Sequence, residues 1–588
     1  LAENWVEKGE KMGFDVSIRI AGEAGQGIQT IGSLLCRIIR NCGWEFMANQ
    51  DYMSRVRGGN NSYTLRISDR RVLSLSDHVD ILIPLNAESI ALHRSALKPR
   101  GRIILDKERL ASGENHPSFL DVPFEAIALK QGGNARYAGS AALGALTGML
   151  GIDIESVESV VWEFFASMGM AVAEDNGACA QTGYDLGRKE PNFQKIGKVQ
   201  ASASRFLLDG NEAIALGAVY AGCRFYSGYP MTPSTTIMET LAGFSSEMPL
   251  IVEQAEDEIA AINMVIGASY AGVRAMTGTS GGGFALMTEG ISLAAMLETP
   301  VVIVNGQRPA PATGLPTRTE QADLDLVLHA GHGEFARVVY APGTIEEAFE
   351  LTITAFDVAD RFQVPAIILS DQYLADMVTP VVLLRNGDLP RSRHTLARMV
   401  PKEEGTYLRY RLTETGVSPR AIPSWISSVV YADSDEHTEE GHITEDAAIR
   451  KAMVEKRFTI KMDLLLKEVL SPRVVNIEKA RLILLGFGST RGVIEDVCVA
   501  MKGEKVGCIH FPQVWPFPSG ALASLLSQAP GARLLTVENN AGGQLARLIQ
   551  RETRIVIDGS ILKYDGRPFS YEDLFNRVEE SRRIHGAI

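Results

Sequence analysis

The sequence predicts an α/β protein whose central part is a doubly wound parallel sheet, and three observations carry that prediction. Short apolar runs such as 301–304 and 364–370 end in polar loops rich in glycine or proline. Helix-like stretches, among them the small apolar residues of 259–272, separate those runs. The same alternation precedes them in 15–200 and resumes at 481, so three α/β domains are expected. In such a sheet the polar loops gather at the carboxyl ends of the strands, in one crevice where ligands bind.

In chain order, 15–20 alternates like a strand, 21–27 is a glycine turn and 29–40 has a helical pattern. The turn runs Gly-x-x-Gly-x-Gly, the reverse of the dinucleotide fingerprint, so a plain tight turn is the expectation, with Glu45 alone too little for a ribose contact. Strands are expected at 81–85 and 102–106, a helix from 141 and a polar linker at 186–205. The helix 209–222 leads into the loop 226–235; then come the acidic stretch 253–258, a strand-like piece ending in a glycine turn at 275–283, and the loop 305–321. A helix at 344–361 and a strand at 364–370 complete that domain. Residues 380–460 turn rich in Pro, Arg and acids. Their cluster around His437 and His442 lacks ligand spacing and is expected to be a solvated loop. Strands return at 482–487 and 507–511, and 531–547 has a strand–turn–helix pattern.

Length and composition bound the rest. The 588 residues exceed one core, and at about 100–200 residues per domain three or four are expected. The divisions fall at 1–200, 201–380, 381–470 and 471–588, the third an irregular insertion. No apolar run reaches the roughly 18 residues of a membrane span, and the first residues lack the apolar core of a signal peptide, so a cytoplasmic protein without a membrane partner is expected. A net charge of −13 argues against a nucleic-acid partner but leaves room for a local cationic pocket. The six cysteines form no Cys-x-x-Cys pair. They are expected to be reduced core thiols, and no metal site is assigned to the chain.

Two loops carry a family resemblance. Tyr-Pro-Met-Thr-Pro-Ser at 229–234 and Gly-Leu-Pro-Thr-Arg-Thr-Glu-Gln at 314–321 flank the apolar core in order. They resemble the pyrimidine-binding domain of the 2-oxoacid:ferredoxin oxidoreductases, thiamin diphosphate enzymes, with Met231 where that family has isoleucine. The second loop resembles the 2-oxoglutarate branch. Residues 15–200 resemble the family's γ domain, Rossmann-like and fused here, and 481–550 its domain related to the transketolase C-terminus. The implied reaction joins a 2-oxoacid, coenzyme A and oxidised ferredoxin to give acyl-coenzyme A, CO2 and reduced ferredoxin. Pyruvate or a branched-chain acid is the alternative substrate, and a non-catalytic nucleotide-binding subunit is the alternative class.

Decarboxylation of a 2-oxoacid needs an electron sink, which the cofactor supplies while the protein orients and shields it. A glutamate at N1′ of the aminopyrimidine is required. Glu253, Glu256, Asp257 and Glu258 all compete, since acids in a first helical turn commonly just complement the dipole. The resemblance selects Glu258, which is followed by Ala260, Ala261 and the glycines Gly281, Gly282 and Gly283. It assigns Arg318 and Thr232 to the substrate carboxylate, where arginine offers paired hydrogen bonds, with Arg308 a further candidate. Tyr229 and Pro230 shape the cofactor loop. Arg55 and Arg57 stand near a Gly-Gly turn and would hold coenzyme A, or are strand-end arginines on a solvated face. The chain has Leu-Asp-Gly, Ile-Asp-Gly and Tyr-Asp-Gly but no Gly-Asp-Gly, which begins the diphosphate–Mg2+ site of thiamin enzymes. Half an active site is therefore expected, with a β subunit bringing Mg2+ and a [4Fe-4S] cluster in an (αβ)2 assembly.

Overall fold

The computed structural model describes residues 13–584 except 55–58, 111–113, 191–192, 194, 198–204, 384–406 and 424. Arg55 and Arg57 lie outside the described residues. The chain divides into two compact units, one formed by 1–208 with 377–382 and 570–573, the other by the remainder.

The first unit carries a six-stranded sheet in the order Glu45–Asp51, Asn61–Ser68, Asp15–Gly22, Val79–Pro84, Leu97–Leu105, Phe119–Asp121. Its first three strands pair antiparallel and the rest parallel. The helix Ile28–Asn41 buries Ile31, Leu34, Leu35, Ile38 and Ile39 on this sheet, an i, i+3, i+4, i+7, i+8 stripe. At the turn before it Gly25 and Gly27 have φ of 90° and 80°, a region closed to most side chains. A cavity of about 430 Å3 opens there, lined by Glu23, Gly25, Gly27, Gln29, Asp51 and Asn61 among others. Arg66 pairs with Asp15 at 2.6 Å and so serves the fold. The helices Ala138–Met149 and Met170–Gly187 cross so closely that a Cβ on Gly144 or Gly183 would overlap the facing backbone carbonyl.

The second unit holds two sheets. Seven strands run in the order Gln513–Trp515, Val338–Tyr340, Pro365–Asp371, Val301–Gln307, Ala275–Thr279, Phe225–Gly228, Ile251–Gln254. All pairs are parallel except the one made by Gln513–Trp515. Strand Phe225–Gly228 connects outward to the edge strand Ile251–Gln254. The chain then crosses back to place Ala275–Thr279 on its other side, which creates a topological switch point between the two. The central strands are buried along their whole length, as expected of a sheet covered on both faces. The second sheet orders Arg473–Val475, Val506–Phe511, Leu482–Phe487, Arg533–Glu538, Gly559–Leu562 and is parallel apart from the first pair.

Two local features differ from the sequence reading. His437 is not solvated. It is fully buried, its ring lies 3.9 Å from that of Tyr410, and burial lowers its pKa. The segment around it is pinned by charge. Lys456 and Lys461 both reach the buried Glu298, and Arg409 caps the carbonyls of Leu297 and Glu298. The two lysines are five residues apart, and the helix Ala447–Val454 widens to a π-helix over Glu455–Ile460. An α-helix would point residues at that spacing to different faces, whereas the wider turn lets both meet one carboxylate. The second difference is at Gly281, Gly282 and Gly283, which form the first turn of the helix Gly281–Leu286 and not an open turn. All six cysteines are free and buried, and burial pushes the thiols of Cys36 and Cys223 up to about 12, which leaves them unreactive.

Candidate active site

The loop 229–234 and the first helical turn 281–283 follow the two strands that flank the switch point. Between them stands Glu258, the first residue of the helix Glu258–Tyr270. Asp257 caps that helix by accepting from Ala260 N at 2.7 Å. Of the four competing acids, Glu253 and Glu256 are exposed, Asp257 is occupied as the cap, and Glu258 is only 3% exposed. The helix buries Ala261, Ile262, Val265, Ile266 and Ser269 beneath it, which fixes the carboxylate over the strand end. Thr279 Oγ1 makes a long contact of 3.5 Å to Glu258 Oε1. A side chain at 283 would overlap both groups, so glycine there makes the room that this carboxylate occupies. A Cβ on Gly282 would meet nothing within 4 Å, so the face above it is open.

The loop after Phe225–Gly228 packs onto the same strand end. Met231 sulfur touches Thr279 and Ser280. Tyr229 is 42% exposed at the rim and Pro230 is half-buried. Asn211 holds the loop from below by donating to Pro233 O at 2.7 Å. Arg308 follows the central strand Val301–Gln307 directly, and its Nη1 donates to the carbonyl of Thr232 at 2.7 Å. Two of the substrate candidates are thus joined to each other. Desolvation lowers the pKa of Arg308, opposed by the charge of Asp323.

Arg318 is half-buried between Thr317 and Thr319, which are buried. Its loop is held by the second sheet of the same unit. Gln321 Nε2 donates to Phe487 O at 2.9 Å, its backbone N–H to Asn539 O at 2.7 Å, and Asn540 Nδ2 donates to Gln321 O at 3.1 Å.

Sequence reasoning passed over Asp323. It is 6% exposed, its N–H donates to Gln307 Oε1 at 3.0 Å, and Asn305 Nδ2 donates to its Oδ2 at 3.3 Å. Burial raises its pKa to about 6, with Asn305 and Arg308 pulling it back. Its position two residues beyond Gln321 in the motif loop was the one available signal.

The donor set suits the aminopyrimidine half of thiamin diphosphate: one water-shielded carboxylate beside a side-chain-free, open helical turn. Among the described residues no group of three or more His, Cys, Asp or Glu could hold a metal ion. Nor is any helix among them long and apolar enough to cross a membrane.

Comparison with known proteins bears on this arrangement. Residues 216–456 match the family model "Pyruvate flavodoxin/ferredoxin oxidoreductase, thiamine diP-bdg", and 17–186 match "Pyruvate ferredoxin/flavodoxin oxidoreductase". A 2-oxoacid:ferredoxin oxidoreductase subunit alpha of Sulfolobus sp. is 32% identical over 94% of this chain and 95% of its own. The 2-oxoglutarate oxidoreductase subunit KorA of Mycobacterium tuberculosis is 28% identical over 95% of this chain and 90% of its own. A solved 2-oxoglutarate:ferredoxin oxidoreductase of Magnetococcus marinus, with 2-oxoglutarate, coenzyme A and succinyl-CoA bound, superposes with a TM-score of 0.88 at 30% identity, covering 96% of this chain and 99% of that one.

Proposed function

This chain is an α-type member of the 2-oxoacid:ferredoxin oxidoreductase family, and we propose that it is the γα-fused subunit of an enzyme acting on 2-oxoglutarate. The products are succinyl-CoA, CO2 and reduced ferredoxin, and the reaction is reversible in principle. The carrying observation is the buried Glu258 carboxylate, pressed against Gly283 at the switch point of a thiamin-type sheet. The bound substrate of the Magnetococcus protein and the name of the Mycobacterium relative favour 2-oxoglutarate over pyruvate or a branched-chain acid.

In this reading residues 201–380 are the pyrimidine-binding catalytic domain, 1–200 the γ-type domain and 471–588 the transketolase C-terminal-like domain, with 381–470 an insertion. Thiamin diphosphate, when bound, supplies the electron sink for decarboxylation. Glu258 would hold N1′ through its carboxylate, placed to take or return a proton there, and its burial excludes water. The first helical turn of Gly281, Gly282 and Gly283 gives the ring a surface without side chains, and Tyr229 and Pro230 close the rim. Thr232, Arg308 and Arg318 take the substrate carboxylate, with guanidinium hydrogen bonds providing orientation. Arg55 and Arg57 are assigned to coenzyme A.

A β subunit completes the site with the diphosphate, Mg2+ and a [4Fe-4S] cluster, and two αβ pairs associate. The surface around Glu258 supports this. Ile251 on the edge strand, Ile259 and Met264 on the Glu258 helix and Leu286 on the glycine helix are all exposed. Apolar residues beside an uncovered sheet edge are a common mark of a partner surface. The coenzyme A and ferredoxin consumed by the reaction imply a cytoplasmic setting. Viologen reduction by the α–β complex, assayed with a panel of 2-oxoacids, tests the proposal. 2-Oxoglutarate should give the highest kcat/KM. Preference for pyruvate or a branched-chain acid would overturn the specificity, and inactivity on every acid would overturn the enzyme class.

A further inference from the structure

Two buried acids from different elements lie against the helical turn at Gly281, Gly282 and Gly283. Glu258 comes from the helix after the edge strand and lies against Gly283. Asp323 comes from the loop beyond the strand Val301–Gln307, and its carboxyl lies against Gly281, where a Cβ would overlap it. Asp323 is tightly placed. Its N–H donates to Gln307, its Oδ2 accepts from Asn305, and Arg308 and Glu320 are the charged groups that act on it or that it acts on. Asn305 Oδ1 is buried with no hydrogen-bond partner among the described residues, so Asp323 is the partner that the structure gives this amide.

An acid here costs stability, since burial raises its pKa to about 6 and it is ionised at neutral pH against that cost. Groups kept at a cost of this kind concentrate at functional sites. Asp323 also links the two halves of the crevice, the glycine turn on one side and Arg308, bonded to Thr232, on the other.

We propose that Asp323 is a positioning residue of the site, whose carboxyl fixes Gly281 as Glu258 fixes Gly283 and so sets the turn on which the cofactor ring rests. The proposal depends on the reading of Glu258 and the glycine turn given above. Its test is a double-mutant cycle in the α–β complex, measuring kcat and KM for the 2-oxoacid and for coenzyme A by viologen reduction, with a thermal melt of each variant.

D323A should lower kcat by at least about tenfold while leaving the KM for coenzyme A within about twofold of wild type. D323N keeps the shape and the acceptor for Asn305 and should recover kcat to within about threefold of wild type. G281A alone should lose about tenfold, but adding G281A to D323A should cost less than about twofold more, because the carboxyl that the methyl strikes is gone. D323S takes the place of D323A if the latter does not fold. Independent, multiplicative losses in the cycle would overturn the role of Asp323, as would full activity of D323A or a D323N as impaired as D323A. A wild-type complex inactive on all 2-oxoacids would instead overturn the proposed function.

Discussion

Replacing Gly283 with alanine puts a methyl group where the Glu258 carboxylate and the Thr279 hydroxyl now meet. Glu258 is 3% exposed and Thr279 fully buried, so neither side chain can swing into solvent. For stability two effects oppose each other. Alanine is better than glycine inside a helix by about 1 kcal/mol, and overpacking a tight site costs about 1–3 kcal/mol. The net loss is then at most about 2 kcal/mol, below the roughly 5–15 kcal/mol that a folded protein holds. Activity has no such cancellation: with Glu258 in its proposed role, a displacement of about 1 Å can lose about a hundredfold in rate. G283A should therefore stay folded, with kcat for the 2-oxoacid about a hundredfold lower. E258Q should fall by at least about a hundredfold, the lower end for lost acid–base help. The double variant should be no worse than E258Q by more than about threefold, since both changes disable one carboxylate. Viologen reduction by the α–β complex, with a thermal melt alongside, reads all three. A folded G283A within about fivefold of wild type would refute the reasoning, and multiplicative losses would separate Gly283 from Glu258.

Three further outcomes follow from the same geometry. R318M keeps much of the stem and removes the charge. A charge-assisted hydrogen bond contributes about 1.5–3 kcal/mol, so kcat/KM for the 2-oxoacid should fall roughly ten- to a hundredfold or more with little change in the KM for coenzyme A, and equal losses for both substrates would give Arg318 a scaffolding role. The folded pKa of Asp323 is raised from 3.8 to about 6, so its contribution to stability is fully present below about pH 4 and is lost as pH rises through 6. Unfolding titrations of the wild type and D323N should differ in slope across that window, with the variant gaining up to about 3 kcal/mol at pH 7, and identical slopes would mean Asp323 does not titrate there. E298Q strips the carboxylate from the buried Lys456 and Lys461 and should cost about 3–5 kcal/mol in denaturant unfolding, whereas a loss below about 1 kcal/mol would show that the lysines find other partners.

What was legible in the sequence was whatever local pattern controls. The strands at 301–304 and 364–370 announce themselves by apolar runs, and the helix Ile345–Phe362 by its Thr344 cap and its period. The glycine turn at 21–27 was legible because Gly25 and Gly27 need a backbone region that other residues avoid. Features set by partners distant in sequence were not. Gly281, Gly282 and Gly283 make a poor helix start on propensity alone, yet they form one, and a Cβ at 281 or 283 would strike Asp323 or Glu258. His437 sits among acids and suggests a wet loop, but Tyr410, 27 positions earlier in the chain, buries it. The π-helix at Glu455–Ile460 is meaningful only once Glu298, more than 150 residues earlier, is known to receive both lysines. Asp323 escaped notice for the same reason, since its significance lies in contacts with Asn305 and Gly281 and not in any motif spacing.

The loop carrying Arg318 shows where specificity of this kind can reside. Its shape does not depend on the strand it leaves alone. Phe487, Asn539 and Asn540 stand at the carboxyl ends of two strands of the five-stranded sheet, and from there they bond both the side chain and the backbone of Gln321. Gly566 adds a longer contact to Thr319 N at 3.4 Å. Each neutral hydrogen bond is worth only about 0.5–1.5 kcal/mol net, but breaking one leaves a buried amide unpaired at about 1–3 kcal/mol, so the loop has little freedom to shift by halves. The second sheet thus does for the Arg318 loop what the first does for Glu258: it presents a strand end at which backbone and amides are fixed. Of the three, only Asn540 holds the loop through its side chain, so a substitution there would loosen the loop that carries Arg318 without altering Arg318 itself. With Arg318 in its proposed role, preference among 2-oxoacids would then depend on Asn540 of the five-stranded sheet as well as on the loop itself.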